Sequence, residues 1–460
     1  MYTDHAATLS RPRSQQDRAY LRVLNVAVPL VLTLAAAVAV LEVGLRVFYR
    51  LIPLEVCASD PIVANYYCQP YYRYDKPIQI GYSYRPGFKM EGWWDPARPT
   101  MANLENEAAP TDRSDAFWYV FQADEMGFPN PEIKWRDAYD VVIAGDSFVT
   151  RSAPRTWIEI LRDQTGMSTL VLGASSWSTL NEIAAIRLYG LDKHPQWVVI
   201  MYFEGNDLFN TAQYMERQAS GLSWKEFDMR GVAWYRKLLT LHMLKYWIGK
   251  LEADPDAPRR YRYPVTASTE AGEIDMVFKD IHLLPMSAGY DTLAHSDEFM
   301  HIRDELVALD AQCKAQGTQL LLVYVPCKEH VYWSRIWDPV DVNNILERTV
   351  TVSLSDRDHG TLQWEPTYLR FDVFYANHNA QEMLLADMAA ETGISYLNLT
   401  PLFWHEAIAH GELYNYADPH WNQAGNQLAA DAIGAVLFDD SYLMEPELPQ
   451  PAVTSNKSYR

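Results

Sequence analysis

The sequence predicts an α/β domain, a parallel sheet with helices on both faces, behind a single membrane-crossing helix. Three observations carry this reading. From about residue 136 onward short apolar strands alternate with helical stretches. Several of those strands are apolar throughout, as parallel strands buried on both sides are. Residues 24–41 (LNVAVPLVLTLAAAVAVL) hold no charged side chain.

Taken in order, residues 1–23 read as a polar, cytoplasmic tail and 24–45 as the anchor. The uncharged run approaches the ~20 residues that span a bilayer, and Pro29 stands near its start, where membrane helices tolerate proline. Arg11, Arg13, Arg18 and Arg22 precede it, against Arg46 and Arg50 after it, so the charge bias keeps the N-terminus inside and exports the body. A cleaved signal peptide is the rival reading. Against it, the apolar stretch is long and the following Glu-Val-Gly-Leu-Arg offers no small-x-small cleavage site. The expected location is therefore the cell membrane, single-pass, with the folded body extracytoplasmic.

Residues 46–135, rich in Pro, Tyr and Trp with little periodicity, read as an irregular juxtamembrane extension. Cys57 and Cys68 fall there, where an oxidising compartment would let them form a disulfide. The main domain is expected over 136–440. Its strands are read at 139–144, 168–172, 197–202, 318–325 and 395–399, its helices at 157–165, 180–189, 301–316, 380–392 and 422–437. Gly317 ends the 301–316 helix. Residues 208–300, where periodicity weakens, read as an insertion, and 441–460 as a tail.

Composition removes several function classes. The 460 residues suffice for one large domain or two ordinary ones, and 48% hydrophobic content suits a packed core. With 39 basic and 59 acidic residues the net charge is −20 and no basic stripe appears, which excludes phosphate-backbone binding and hence nucleic-acid partners. No glycine-rich phosphate loop or dinucleotide fingerprint occurs, so no cofactor is expected. His405 and His410 are five apart, about 140° around a helix, and do not make the zinc pair that needs i and i+4; no metal is expected. Cys313 and Cys327 read as a possible pair or as buried thiols. The 15 Trp and 29 Tyr are foremost core residues, though exposed ones could stack on sugar rings.

The chemistry concentrates at strand ends. Residues 141–149 (VVIAGDSFV) run a buried strand into Gly145-Asp146-Ser147, presenting one hydroxyl at the edge of the sheet where ligands collect in α/β folds. Gly-Asp-Ser alone is common by chance. Here it is followed by Gly173 after the second strand, Gly205-Asn206-Asp207 after the third, and Asp418-Pro419-His420 near the end. Serine needs a base, and the base needs a partner that fixes its tautomer. His420 is the candidate base and Asp418 its orienting carboxylate, two residues apart across a stiff proline. The Ser147 and Gly173 backbone N–H groups and the Asn206 amide are the candidate oxyanion donors. Asn422 is placed to cap the following helix, and Asp146 to hold the turn.

These four blocks resemble those of the SGNH (GDSL-type) hydrolase superfamily, over roughly 136–440. The resemblance implies a flavodoxin-like three-layer α/β/α fold, Ser147 as nucleophile, His420 as base, Asp418 as triad acid, and Gly173 and Asn206 in the oxyanion hole. Most of that superfamily places the acid three residues before the histidine; here 417 is Ala and the acid is 418. Asp418-Pro419-His420-Trp421 instead resembles the alginate O-acetyltransferase branch, as more distantly does Val325–Tyr332. What this implies is an anchored serine esterase or O-acyltransferase acting on acylated carbohydrate in the cell envelope, with envelope-biosynthesis proteins as partners. The alternative is a non-catalytic glycan-binding member of a polysaccharide-biosynthesis complex.

Overall fold

A computed structural model of the chain describes residues 15–48, 52–53, 56, 72–74, 76–94, 116–249, 262–336 and 371–438. They group into two compact units, residues 1–70 with 231–254, and residues 71–230 with 255–460. Cys57 and Cys68 lie outside the described residues.

The first unit contains helix α1 (Gln15–Val47), whose Asn25–Val47 stretch is long and apolar enough to cross a membrane, and a short helix at Leu239–Trp247.

In the second unit, β1 (Tyr72–Arg73) pairs antiparallel with β2 (Ser83–Tyr84), and β3 (Lys89–Trp94) with β4 (Phe117–Gln122). β5 (Val141–Gly145), β6 (Thr169–Gly173) and β7 (Trp197–Phe203) follow. β8 (Arg262–Thr269) and β9 (Gly272–Lys279) form another antiparallel ribbon, and β10 (Gln319–Val325) and β11 (Ser395–Asn398) come last.

Five of these strands form one parallel sheet in the order β11-β10-β7-β5-β6. Renumbered along the sheet this is the 2-1-3-4-5 flavodoxin-like order, with its switch point between β5 and β7. The fold class expected from the sequence is thus the one observed. β5, β6 and β7 are buried along their whole length, which is why they read as continuous apolar runs and not as alternation.

Successive residues of a strand feed opposite layers. Val141 and Ile143 pack with Trp157, Ile158 and Leu161 of the Trp157–Thr165 helix and with Ala429, Ile433 and Val436 of the Gln423–Phe438 helix. Val142 and Ala144 face Leu180 and Ile183 of the Thr179–Ala185 helix, Ile302 and Leu306 of the Asp297–Ala315 helix, and Leu384 and Leu385 of the Ala380–Thr392 helix. Both faces are covered, and only the strand ends are left for chemistry. The helix expected at 180–189 is α-helical to Ala185 and then widens to a π turn over Ile186–Gly190. Cys313 and Cys327 are buried free thiols.

Candidate active site

β5 ends at Gly145, and the chain turns through Asp146 into a single 3-10 turn, Ser147–Val149. Asp146 makes that turn: its Oδ1 accepts from the Phe148 N–H at 3.0 Å, capping the turn from its N-terminal side. The neighbouring strand must come very close here. A Cβ on Gly173 would lie 2.3 Å from the Gly145 carbonyl oxygen and 2.5 Å from Val149 Cγ2, so only glycine fits beside the serine turn.

The histidine arrives from the far end of the chain. His420 Nε2 lies 2.6 Å from Ser147 Oγ, and His420 Nδ1 makes a short bond to Asp418 Oδ1, which also accepts from the His420 backbone N–H at 2.9 Å. The three sequence-predicted residues therefore form one hydrogen-bonded line, hydroxyl to imidazole to carboxylate. Asp418 is 6% exposed. Burial pushes its carboxyl up, but the adjoining His420 and Lys279 charges and the bonds from His420 outweigh this, and its pKa is held well below the usual range. It is therefore a carboxylate at neutral pH, as the orienting partner must be.

Local packing fixes the imidazole. Phe148, the residue after Ser147, packs its ring 4.9 Å from the His420 ring and 4.9 Å from Trp421, the latter edge-on. Asn415 Nδ2 donates to the Ser152 carbonyl at 3.0 Å and to the His420 carbonyl at 3.2 Å, and Ser152 Oγ donates to the Trp421 carbonyl at 3.0 Å. These bonds tie the histidine loop to the segment leaving the serine turn. Asn422 Oδ1 accepts from the Ala424 and Gly425 N–H groups at 2.9 and 3.1 Å, the cap expected of it.

Asn206 follows β7, across the switch point from Ser147. It stands at the N-cap of the Asp207–Ser220 helix but makes no capping bond. Its Nδ2 donates instead to Asp146 Oδ2 at 3.0 Å, holding the amide beside the serine turn. An amide nitrogen carries two hydrogens, so this bond fixes its position and leaves a second donor. Gly173 meets the site through register: it pairs with Gly145 at the same sheet edge. Serine, glycine and asparagine thus come from the ends of β5, β6 and β7.

Buried charged residues surround the site, and their burial had no signal in the sequence, although Asp207 stands in the 205–207 block and Lys328 in the 325–332 stretch. Asp207 accepts from the Thr179 N–H at 2.8 Å and the Phe203 N–H at 2.5 Å, tying two strand-end loops together. Glu182, fully buried, adjoins it. Burial and then the nearby Asp207 and Asp146 charges push the Glu182 carboxyl well up; burial and Asp146 likewise raise Asp207. Glu204, between β7 and Asn206, is buried against His330 Nδ1 at 2.7 Å and accepts from the Cys327 N–H at 3.0 Å. Lys328, 1% exposed, donates from Nζ to the carbonyls of Asn415, Tyr416 and Asp418 at 2.9, 2.9 and 3.0 Å. An acidic or basic side chain ordinarily reads as solvated, and Asp207, Glu182, Glu204 and Lys328 are buried.

His405 and His410 are exposed, each lying near Glu406, and no metal-binding cluster occurs among the described residues.

No protein-family model matches the chain, and no curated protein matches it. Similar solved structures include an alpha/beta hydrolase enzyme from the metagenome of Lake Arreo, Spain, at 12% identity, covering 66% of this chain and 97% of that one with a TM-score of 0.30. A GDSL-like lipase from Parabacteroides merdae is 10% identical, covering 67% and 98%, with a TM-score of 0.30. A variant of an acetyl xylan esterase from Geobacillus stearothermophilus is 11% identical, covering 65% and 93%, with a TM-score of 0.29.

Proposed function

We propose that this chain is a membrane-anchored serine esterase or O-acyltransferase of the SGNH type, acting outside the cytoplasm on acylated carbohydrate. The observation that carries the catalytic part is the line from Ser147 Oγ to His420 Nε2, at 2.6 Å, and on to Asp418.

The reaction follows from that line. His420 Nε2 takes the Ser147 hydroxyl proton as Oγ attacks the acyl carbon, and Asp418 holds the imidazole in the tautomer that can accept it. Negative charge moves to the carbonyl oxygen, where the Ser147 and Gly173 N–H groups and the Asn206 amide serve as donors. Collapse breaks the ester C–O bond, and His420 gives the proton to the departing sugar oxygen, which leaves as a hydroxyl. A second nucleophile then gives its proton to His420 as it attacks the acyl-serine, and when the acyl–Oγ bond breaks His420 returns that proton to Ser147 Oγ, freeing the serine. If it is water the enzyme is an esterase; if it is a sugar hydroxyl, a transferase.

The anchoring part is supported by α1, whose apolar side chains are mostly exposed, and by the arginine excess before it. The carbohydrate part is supported by the resemblance of Asp418-Pro419-His420-Trp421. The test is purified full-length chain supplied with an acetylated oligosaccharide, with and without an unacetylated acceptor. Acetate release or acetyl transfer that disappears in Ser147→Ala supports the reading. Equal inactivity of wild type and Ser147→Ala on every acyl ester tried contradicts it.

A further inference from the structure

Residues 231–249 belong to the same compact unit as α1 and are fastened near its C-terminal end. Leu238, at the N-cap of the Leu239–Trp247 helix, provides no side-chain cap. Glu42 of α1 provides it from a distance. Its carboxylate accepts from the Leu239 N–H at 3.1 Å, the Thr240 N–H at 2.9 Å and the Thr240 hydroxyl at 2.7 Å. Arg46 pairs with Glu42 at 2.7 Å and donates to the Lys237 carbonyl at 3.1 Å. Leu45 of α1, Ile52 and Val56 then pack with Leu239 and Met243.

The short helix has a second apolar face that is exposed among the described residues. Leu244, Trp247 and Ile248 are 50%, 61% and 56% exposed, and Trp234 and Tyr235 just before the helix are 74% and 48% exposed. At 3.6 residues per turn the exposed face is centred about 140° from the buried face of Leu239, His242, Met243 and Tyr246. A helix apolar on both sides needs a second apolar environment.

We infer that residues 231–249 form a collar lying in the membrane interface around the outer end of α1, with Trp234, Tyr235, Leu244, Trp247 and Ile248 set among lipid headgroups and upper acyl chains. The inference rests on the reading of α1 as a spanning helix. Three features single out the bilayer as the occupant. The patch is continuous with α1 through the Glu42 cap. Asn25–Val47 is about 34 Å long at 1.5 Å per residue, against a hydrocarbon core of ~30 Å, which puts Arg46 at its boundary and Glu42 about one turn inside it. Trp and Tyr are the residues that favour that boundary, and Arg236 and Lys245 stand exposed among them, suited to anionic headgroups.

The test uses the full chain in nanodiscs of mixed phosphatidylcholine and phosphatidylglycerol, with the phosphatidylcholine brominated at shallow or deep acyl positions. None of the chain's 15 tryptophans lies in α1, so quenching by bromine reports side chains outside it. We expect quenching, stronger with shallow than with deep bromines, and loss of most of it in Trp234→Phe/Trp247→Phe, which keeps the apolar bulk. Quenching unchanged by the double substitution overturns the collar, as does its absence in the wild type while the chain resists carbonate extraction from membranes. Release of the chain by carbonate overturns the anchoring itself, and the collar with it.

Discussion

Lys328 Nζ donates to the Asp418 carbonyl oxygen at 3.0 Å, so a buried cation holds the loop that presents the Asp418 carboxylate to His420. It shares the same ammonium with the carbonyls of Asn415 and Tyr416, filling all three of its donor positions. We assign Lys328 the task of positioning Asp418. In Lys328→Met the three carbonyls lose a donor, with a stability loss on the order of 3 kcal/mol. We predict a lower Tm together with a fall in kcat that exceeds any rise in KM. A lower Tm with unchanged kcat at a permissive temperature would reduce Lys328 to a structural role.

Asp418→Asn is predicted to keep the fold and to lower kcat by about 10⁴, because an amide does not hold the imidazole in the accepting tautomer. The pH dependence has a defined sign. The Asp418 pKa is depressed on folding, so its stabilisation is complete above the unfolded value of about 3.9 and is lost as pH falls toward the lower folded value. Thermal unfolding of wild type and variant should therefore converge below about pH 4, and a gap that stays constant with pH would count against it.

Asn206→Ala is predicted to lower kcat by about 10²–10³, the usual effect of removing one oxyanion donor, with little change in KM. The same substitution removes the 3.0 Å bond to Asp146, so the serine turn also loosens. Trapping with a transition-state-like phosphonate separates the two effects. A lost donor weakens phosphonate binding far more than substrate binding, whereas a loosened turn weakens both.

The serine, the histidine and its acid were legible because each sits in a short block whose chemistry is local: a strand, a tight turn, one polar side chain. The sheet was legible for a related reason, since β5, β6 and β7 are buried on both faces and their apolar runs need no partner to be recognised. The supporting residues were not. Glu204 and His330 are 126 positions apart in sequence, and nothing local to either says that they meet at 2.7 Å. Glu182 opens the Thr179–Ala185 helix where an acidic residue normally faces water and favours the helix dipole, yet it is fully buried. Lys328 stands in Val325–Tyr332, a stretch legible only as a distant family likeness, and its three acceptors lie about 90 residues away.

The Glu204–His330 pair makes alkaline stability a further test. His330 bonds Glu204 through Nδ1 and Asn379 Oδ1 through Nε2, and only the imidazolium donates at both nitrogens. Burial lowers its pKa, but the Glu204 charge and bond prevail and raise it to about 9. A pKa raised on folding gives stability that is complete below the unfolded value of about 6.5 and lost as pH rises through about 9. We predict a falling Tm between pH 7 and 10 in the wild type and a flatter profile in His330→Gln, read by calorimetry. Parallel profiles would show that His330 is neutral in the folded chain.

The most direct measurement is labelling of the full-length chain with a serine-directed fluorophosphonate, followed by peptide mass spectrometry. Catalytic activation of Ser147 by His420 predicts one adduct, on Ser147, formed in the wild type and suppressed at least 10³-fold in rate in His420→Ala. A folded wild-type chain that leaves Ser147 unlabelled, or labels it equally fast without His420, would contradict it.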